Sequence, residues 1–345
     1  MPSSTFKPSK AGEKKYIVQR ADTFDTLSAE EKQHIIQKAG SLVEPLKKWA
    51  SGYTVIRPIR IPMSALSTAI AFATVIPPMP PVECVLLSKL GLWTFGVDDV
   101  TDGRKMPLAE FERKVETWCS IASLDTDTID DNHDLTTMIL EVKNELSKHR
   151  LFGSLCRQWS FSTRIFLEGI AQEYRHALDH GAGRLPTLPT LEEYLRYSIG
   201  SIGVFVWSFT AFIILDDLSI REQLEPISEA LRYTSLALRL YNDLQTFDKE
   251  IEEGKINSIV IKYHAMLNKD PNTTKGSALA QAKQCVLQLA NSYAQKCYEL
   301  TEQIETDTGQ IERIIYRLVA FHAYFYSQHD YHTTPLTTLQ EIFDA

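Results

Sequence analysis

The stretch LWTFGVDDVTDG, from Leu92 to Gly103, is an apolar and aromatic run that ends in three aspartates, Asp98, Asp99 and Asp102. Asp98 and Asp102 are four residues apart, so they would share one face of a helix. The carboxyl end of a helix is a poor place for anions, because the helix dipole opposes them there. A bound cation would offset that cost. The pattern therefore favours ligands of a positively charged group over a solvated helix end.

Helical periodicity extends outward from this stretch over the rest of the chain. Ser28 and Glu31 have capping-box spacing ahead of an amphipathic run, and Thr190 and Glu193 repeat that spacing. Further helices are expected over residues 82–102, 108–122, 133–150, 155–180, 191–215, 223–251, 276–305 and 309–331. Convincing strand alternation and hairpin turns are absent from the sequence. We predict one all-α domain of about ten helices over residues 21–345, after a disordered tail over residues 1–20.

Composition excludes some classes of partner. The 345 residues carry a net charge of −8, which argues against nucleic acid as a partner, because its binding needs a basic surface. The five cysteines are scattered, as expected of buried thiols in a reducing cytosol, and the first fifteen residues lack an apolar signal core. We therefore expect a cytoplasmic protein.

One segment has the length and apolar character of a membrane span, from Ser198 to Leu215. It contains two glycines and three serines and is flanked by Arg196 and Asp216. A central helix buried on all sides in an all-helical protein has the same composition. We predict a buried helix and no stable membrane insertion.

A second oxygen-rich element lies in RLYNDLQTFDKEIEEGKINS, from Arg239 to Ser258. Asn242, Thr246 and Glu250 follow one another at intervals of four residues and would stack along one helix face, about 6 Å apart. An amide oxygen, a hydroxyl and a carboxylate form a hard ligand set that suits Mg²⁺. Two such faces across a helical bundle could hold several Mg²⁺ ions and a diphosphate between them.

These two elements resemble the paired metal motifs of class I terpene synthases, of the microbial type, in which D-D-x-x-D and N-D-L-x-T-x-x-x-E lie about 140 residues apart. Here 144 residues separate Asp98 from Asn242. The family also places a diphosphate-sensing arginine 46 residues before the asparagine, and Arg196 has that position. Gly200 falls where the family breaks a helix to direct a carbonyl at the developing cation. The resemblance covers residues from about 80 to the C-terminus.

The resemblance implies a helical bundle with a central apolar cavity, and it implies roles for individual residues. Three Mg²⁺ ions, for which Mn²⁺ could substitute, would be held by the following residues: Asp98, Asp99, Asp102, Asn242, Thr246 and Glu250. Arg196 and Lys249 would contact the diphosphate, while Phe95 and Trp207 would line the pocket. Many microbial members carry a C-terminal Arg-Tyr pair; here Tyr331 is present without the arginine, and Arg313 or Arg317 could replace it.

A competing acidic run, DDNHD, also fits the D-D-x-x-D pattern, with Asp130, Asp131 and Asp134. It follows no apolar helix, and it lies only 112 residues before Asn242. Carboxylates at the amino end of a helix are stabilised by the helix dipole, which explains this run without a metal.

The expected activity is ionisation of an allylic prenyl diphosphate, followed by cyclisation and quenching of the cation to a terpene hydrocarbon or alcohol. A C20 substrate, linear geranylgeranyl or bicyclic, is slightly favoured over C15 farnesyl diphosphate. No D-x-D-D motif exists, so we do not expect cyclisation started by protonation. Two alternatives stay open, a chain-elongating prenyl diphosphate synthase and a non-catalytic helical interaction protein. The sequence also allows a homodimer.

Overall fold

The protein is described by a computed structural model over residues 27–72, 80–103, 106–123, 131–181, 188–270 and 272–328. These residues contain no strand. They form twelve α-helices: α1 Ala29–Ala50, α2 Arg60–Phe72, α3 Pro81–Asp102, α4 Leu108–Ala122, α5 Asp134–Leu146, α6 Phe152–Gly181, α7 Leu191–Ser201, α8 Val204–Leu215, α9 Leu224–Glu252, α10 Ser258–Lys269, α11 Lys275–Thr301 and α12 Gln310–Gln328. A 3₁₀ helix, Leu218–Glu222, lies between α8 and α9. The prediction of an all-α fold is confirmed. The predicted tail over residues 1–20 lies outside the described residues.

Local sequence signals set the helix ends. Ser28 and Glu31 form the predicted capping box of α1, since each side chain accepts a hydrogen bond from the other residue's backbone N–H. Thr190 and Glu193 form the same arrangement at the start of α7. α3 has proline at its first position, where a missing N–H costs nothing, and ends in the acidic motif just before Gly103.

The long apolar helix predicted over 191–215 is two helices. α7 ends at Ser201, and Gly203 has a φ of 74°, in the left-handed region that favours glycine. The break therefore lies at Ile202–Gly203, after Gly200, which still belongs to α7. Two further helices, α2 and α10, were not predicted from the pattern.

Buried tryptophans connect the helices that surround the site. Each is fully buried and donates its indole N–H to another helix: Trp93 to the Leu135 carbonyl at 3.0 Å, Trp118 to Thr136 Oγ1 at 2.9 Å, and Trp159 to Thr210 Oγ1 at 2.9 Å. Aromatic side chains bury much apolar area, and a satisfied indole N–H removes the penalty of burying it. These contacts fix α3 and α4 against α5, and α6 against α8.

Within the described residues, Leu191–Leu215 is the segment that could cross a membrane by length and composition. In its most apolar window, 67% of the residues are buried inside the structure. Such burial is typical of the core helices of soluble proteins, so this segment carries no argument for a membrane span.

Candidate active site

The acidic end of α3 and the middle of α9 face one cavity. Asp98 and Asn242 both line it, and the predicted pocket residues Phe95 and Trp207 line it as well. Other apolar side chains complete its wall: Phe166, Ile170, Ile202, Val204, Leu238 and Leu318. The cavity contains about 950 Å³ of space outside atoms, part of it open to solvent. We call it the apolar cavity.

A second, polar pocket adjoins the apolar cavity. Four residues line both: Asp98, Glu173, Arg239 and Asn242. The rest of its lining is largely polar, namely His176, Tyr197, Glu250, Lys255 and Ile256. The two cavities therefore form a continuous site with a charged end and an apolar end. An amphiphilic molecule with a polar head and a hydrocarbon tail matches this division.

Burial raises the pKa of three carboxyl groups in the polar pocket, those of Asp98, Glu173 and Glu250. Burial, with the charge of Asp102 next in size, raises the pKa of the Asp98 carboxyl to about 7. Burial likewise raises the pKa of the Glu250 carboxyl to about 7, against the opposing effect of Arg239. Removing a carboxylate from water disfavours its charged form, and a cation nearby reverses that preference. The pocket is thus short of positive charge for its carboxylates.

Arg239 is fixed at one side of the polar pocket by four partners. Its Nε donates to Asp243 Oδ1 at 2.8 Å and to the Tyr194 hydroxyl at 2.8 Å. One terminal nitrogen donates to Glu173 Oε1 at 3.0 Å, and the other lies 3.6 Å from a Glu250 oxygen. A guanidinium with this many buried partners cannot turn toward a ligand without leaving carboxylates unpaired. We assign it to holding α6, α7 and α9 around the site.

Lys255 enters the polar pocket from the end of α9. Gly254, with a φ of 71°, turns the chain so that the Lys255 N–H donates to the Glu250 carbonyl at 2.8 Å. The Lys255 ammonium then contacts Asp102 of α3 and, at 3.2 Å, Glu253. Sequence reasoning missed this residue; the Gly-Lys pair at the helix end was the signal that the chain turns back toward the acidic helices.

Asp99, which is predicted from the sequence as a metal ligand, does not line either cavity. Arg60 binds Asp99 Oδ1 at 2.6 Å, and Arg57 binds both carboxylate oxygens, with its Nε 2.7 Å from Oδ2. Arg60 is only 1% exposed and also lies over the Phe95 ring at 5.1 Å. Successive residues on a helix point about 100° apart, so Asp98 and Asp99 cannot both face the cavity. Asp99 connects α3 to the segment that starts α2.

Two cations predicted to contact a diphosphate lie away from the site. The Arg196 side chain is 72% exposed and lies 3.9 Å from Glu192, outside both cavities. Lys249 pairs with Glu253 at 3.6 Å and does not line them either. The spacing that singled out Arg196 places it on α7, but on the face of α7 turned to solvent.

Gly200, which is predicted from the sequence to be catalytic, has a packing role in the structure. A Cβ atom there would lie 2.4 Å from the Ile165 carbonyl oxygen, so glycine permits α6 and α7 to approach closely. Its own carbonyl accepts from the Gly203 N–H at 3.0 Å. Ser201, Ile202 and Gly203, at the helix break, line the apolar cavity where Gly200 was expected.

Oxygen atoms that could bind a metal ion lie on both sides of the polar pocket. Asp98, Asn242 and Glu250 line it, and the Thr246 hydroxyl, though buried outside the lining, donates its hydrogen to the Asn242 carbonyl at 2.8 Å and keeps its lone pairs. Among the described residues, no group of three or more His, Cys, Asp or Glu side chains is arranged as a metal site. The oxygen donors here include the amide of Asn242, and the Asp102 carboxylate is paired with Lys255. Hard oxygen donors with a deficit of positive charge fit Mg²⁺.

The competing run DDNHD has structural partners where it is described. Asp131 accepts from Lys114 at 2.6 Å and from Thr136 Oγ1 at 2.7 Å. Asp134 accepts three hydrogen bonds from Thr54 and Val55. Asp130 lies outside the described residues, as does Tyr331.

Comparisons with known proteins identify a family for this chain. The family model described as "Terpene synthase family 2, C-terminal metal binding" matches residues 89–292, which include both motifs. The miltiradiene synthase KSL2 of Isodon japonicus is 26% identical over 171 residues, which cover 45% of this chain and 26% of that protein. The ent-pimara-9(11),15-diene synthase of a Streptomyces species is 26% identical over 132 residues, 38% of this chain and 44% of that protein. The aligned part thus spans about a quarter of the plant relative and under half of the bacterial one.

Solved structures share the fold over most of the chain. The linalool/nerolidol synthase of Streptomyces clavuligerus superposes with a TM-score of 0.61 over 84% of this chain and 94% of that one, at 14% identity. A hedycaryol synthase in complex with nerolidol gives a TM-score of 0.58 over 83% and 93%, also at 14% identity. Identities this low establish the fold alone. With a family model that matches more than half of its length, the chain belongs to the terpene synthase family, with the class I all-α fold.

Proposed function

We propose that this protein ionises an allylic prenyl diphosphate with Mg²⁺ and converts the resulting cation to a terpene hydrocarbon or alcohol. One observation carries the proposal. Asp98 of α3 and Asn242 of α9, which are 144 residues apart in the chain, line the same cavity at the junction of its polar and apolar ends. That junction is where the carbon–oxygen bond of a prenyl diphosphate would lie.

Different residues would act at the polar end and at the apolar end of the site. Asp98, Asn242 and Glu250, with the Thr246 hydroxyl, would hold the metal ions, for which three Mg²⁺ is our working number and Mn²⁺ the expected substitute. Bound metal supplies Lewis-acid stabilisation of the leaving diphosphate. Phe95 and Trp207 line the apolar end, where aromatic faces stabilise a cation and apolar walls exclude water.

The matching relatives and the solved structures both bear on the chain length of the substrate. The curated relatives that match include diterpene synthases of plants and of Streptomyces, which supports a C20 substrate, linear or bicyclic. The solved structures with the same fold include a linalool/nerolidol synthase and a hedycaryol synthase, so C15 farnesyl diphosphate stays in the test set. We propose C20 as the preferred length.

Product analysis tests the proposal. The full chain is incubated with Mg²⁺ and, separately, C10, C15, linear C20 and bicyclic C20 diphosphates, and the extracts are read by gas chromatography with mass spectrometry. We expect hydrocarbon or alcohol from a C20 diphosphate, lost when the metal is chelated. A parallel reaction adds isopentenyl diphosphate to each allylic primer. Elongated diphosphates without terpene products would identify a chain-elongating synthase and refute our proposal.

We also propose a cytoplasmic location and no stable membrane insertion. The described structure has five free cysteines, three of them buried, which suits a reducing compartment. Fractionation of the native source and light scattering of the purified chain would test the location and whether it forms a homodimer.

A further inference from the structure

We propose that His322 accepts the proton whose loss from the final carbocation ends the reaction and yields a hydrocarbon. The inference rests on the proposed function and deepens it, because it assigns the terminating step to a residue outside both metal motifs. His322 belongs to α12, whereas the residues that would hold metal belong to α3 and α9.

The imidazole of His322 lies in the wall of the apolar cavity. Leu318, His322 and Tyr326 follow one another at intervals of four residues along α12, and all three line this cavity. His322 does not line the polar pocket. A substrate with its diphosphate in the polar pocket would therefore place its hydrocarbon tail in the cavity that the imidazole lines.

The helix backbone determines which ring nitrogen of His322 is basic. Nδ1 lies 2.7 Å from the carbonyl oxygen of Leu318, one turn earlier on α12. A carbonyl oxygen only accepts hydrogen bonds, so Nδ1 carries the hydrogen. In the neutral ring the basic lone pair then belongs to Nε2. The proton acceptor of the proposed step is this nitrogen.

The environment of His322 suits a base that works beside a carbocation. Burial lowers the pKa of the imidazole to about 4, against the opposing effect of the hydrogen bond to Leu318. The ring is therefore neutral at neutral pH, so it does not repel a cation in the cavity and is able to take up a proton. A C–H bond next to a cationic carbon is far more acidic than an imidazolium, so a weak base is sufficient.

The other side chains that line the apolar cavity are poorer proton acceptors. Asp98 and Glu173 lie where this cavity meets the polar pocket, and Asp98 would hold metal. Glu173 accepts hydrogen bonds from Arg239 at 3.0 Å and from Ser201 at 2.6 Å. The remaining polar side chains of the described lining are hydroxyls, an amide and a guanidinium, which do not take up a proton at neutral pH.

The proposed step conserves atoms and charge. A C–H bond next to the cationic carbon breaks, its electron pair becomes the new carbon–carbon π bond, and the proton bonds to Nε2 of His322. The products are a neutral hydrocarbon and an imidazolium. Because burial disfavours the charged ring, the imidazolium returns its proton to water when the hydrocarbon leaves the site.

The test separates ionisation of the substrate from termination. The full-length wild type, His322→Phe, His322→Gln and Tyr326→Phe are incubated with Mg²⁺ and, separately, C15 and C20 allylic diphosphates. Pyrophosphate release gives turnover, and gas chromatography with mass spectrometry gives the products. In both His322 variants we expect the share of the main hydrocarbon to fall at least about tenfold, replaced by isomeric alkenes and alcohols, while turnover falls by no more than about tenfold.

Tyr326→Phe is the matched control, because Tyr326 lies one turn further along the same face of α12 and its ring centroid is 5.7 Å from that of His322. It removes a hydroxyl and no base, so the share of the main hydrocarbon should stay within about twofold of the wild type. Circular dichroism establishes that each variant is folded. The glutamine variant keeps a donor for the Leu318 carbonyl, which guards against a packing defect in the phenylalanine variant.

Each outcome has a separate meaning. A wild type that releases no pyrophosphate from these substrates would refute the proposed function itself. A wild type whose main product is an alcohol would end its reaction by water capture and overturn the inference alone. So would an unchanged product composition in both His322 variants, or a change in His322→Phe without one in His322→Gln, which would indicate an effect of shape. Folded His322 variants that release no pyrophosphate would place the residue before the cation forms, again contrary to the inference.

Discussion

At the scale of single residues, the three aspartates of the acidic motif have different surroundings. Asp98 lines the cavity, Asp99 is bound by two arginines, and Asp102 is paired with Lys255. The motif reads as one ligand set in the sequence, but a helix distributes its members over different faces. Substitutions at adjacent positions should therefore impair different properties, namely turnover at Asp98 and stability at Asp99.

Replacing Asp98 with alanine should lower turnover by at least about 100-fold while the fold stays intact, because an essential oxygen ligand would be lost. Asp130→Ala, in the competing acidic run, serves as the control and should leave turnover nearly unchanged. Steady-state kinetics with the preferred diphosphate measures both variants. Wild-type turnover in the Asp98 variant, or an inactive Asp130 variant, would mean that the acidic runs have been assigned the wrong way round.

Asp99→Asn should act on stability. It removes the carboxylate charge that Arg60, which is 1% exposed, contacts at 2.6 Å, and breaking a buried ion pair from one side costs about 3–5 kcal/mol. The free energy of unfolding from urea denaturation, followed by circular dichroism, measures the loss. A variant with unchanged stability and abolished activity would instead support the metal-ligand role predicted from the sequence.

His322 should make the protein less stable in mild acid. It lines the apolar cavity, and burial lowers its pKa to about 4, from an ordinary value of 6.5. Above about pH 6.5 the imidazole is neutral in both states and contributes no pH dependence. As the pH falls below that value the unfolded state binds the proton first, so stability is lost progressively down to about pH 4.

The variant His322→Gln isolates this effect, because its amide can still donate to the Leu318 carbonyl that now receives the imidazole Nδ1–H at 2.7 Å. Urea denaturation at about pH 7 and about pH 5 gives the loss of stability on acidification. That loss should be smaller in the variant than in the wild type. Equal losses in the two proteins would show that His322 titrates normally in the fold.

At the scale of elements, the junction of α7 and α8 shapes the site. Two glycines three residues apart have different functions there: Gly200 lets α7 approach α6, and Gly203 provides the turn of the backbone. The serine between them, Ser201, donates to Glu173 on α6 at 2.6 Å, which fixes the break against the cavity wall. A continuous helix over 191–215 would not bring Ile202 and Gly203 to the cavity as this break does.

Alanine at Gly200 should be more damaging than alanine at Gly203. At Gly200 the new Cβ would lie 2.4 Å from the Ile165 carbonyl oxygen, so two helix backbones must separate, at a cost of about 2 kcal/mol or more. At Gly203 the nearest atom is a Phe166 carbon at 3.7 Å, and the φ of 74° alone costs about 1 kcal/mol. Urea denaturation ranks the two variants, and the reverse order would contradict the packing assigned to Gly200.

At the scale of the whole molecule, the site joins helices that lie far apart in the chain. α3 supplies Asp98, α6 supplies Glu173, and α9 supplies Asn242, so a ligand bound between them stabilises their mutual packing. Such stabilisation is a property of the assembled bundle, because the unfolded chain has no common site for these residues.

Mg²⁺ with inorganic pyrophosphate should therefore raise the melting temperature. At about 100 times the dissociation constant, a ligand that binds only the native state adds about 2.7 kcal/mol to the free energy of unfolding. Differential scanning fluorimetry with Mg²⁺ alone, pyrophosphate alone and both together provides the measurement and its controls. A melting temperature that does not respond to the combination would favour a non-catalytic helical interaction protein.

The sequence by itself determined the all-α fold, the capping boxes of α1 and α7, and the two motif helices that meet at one cavity. These features depend on local periodicity and on spacing along single helices, which a sequence records directly. The tertiary structure decided which charged residues face that cavity. Lys255 lines the polar pocket, whereas neither cavity is lined by Asp99, Arg196 or Lys249. The direction of a side chain depends on how its helix is rotated and where that helix ends. Packing against distant helices sets both.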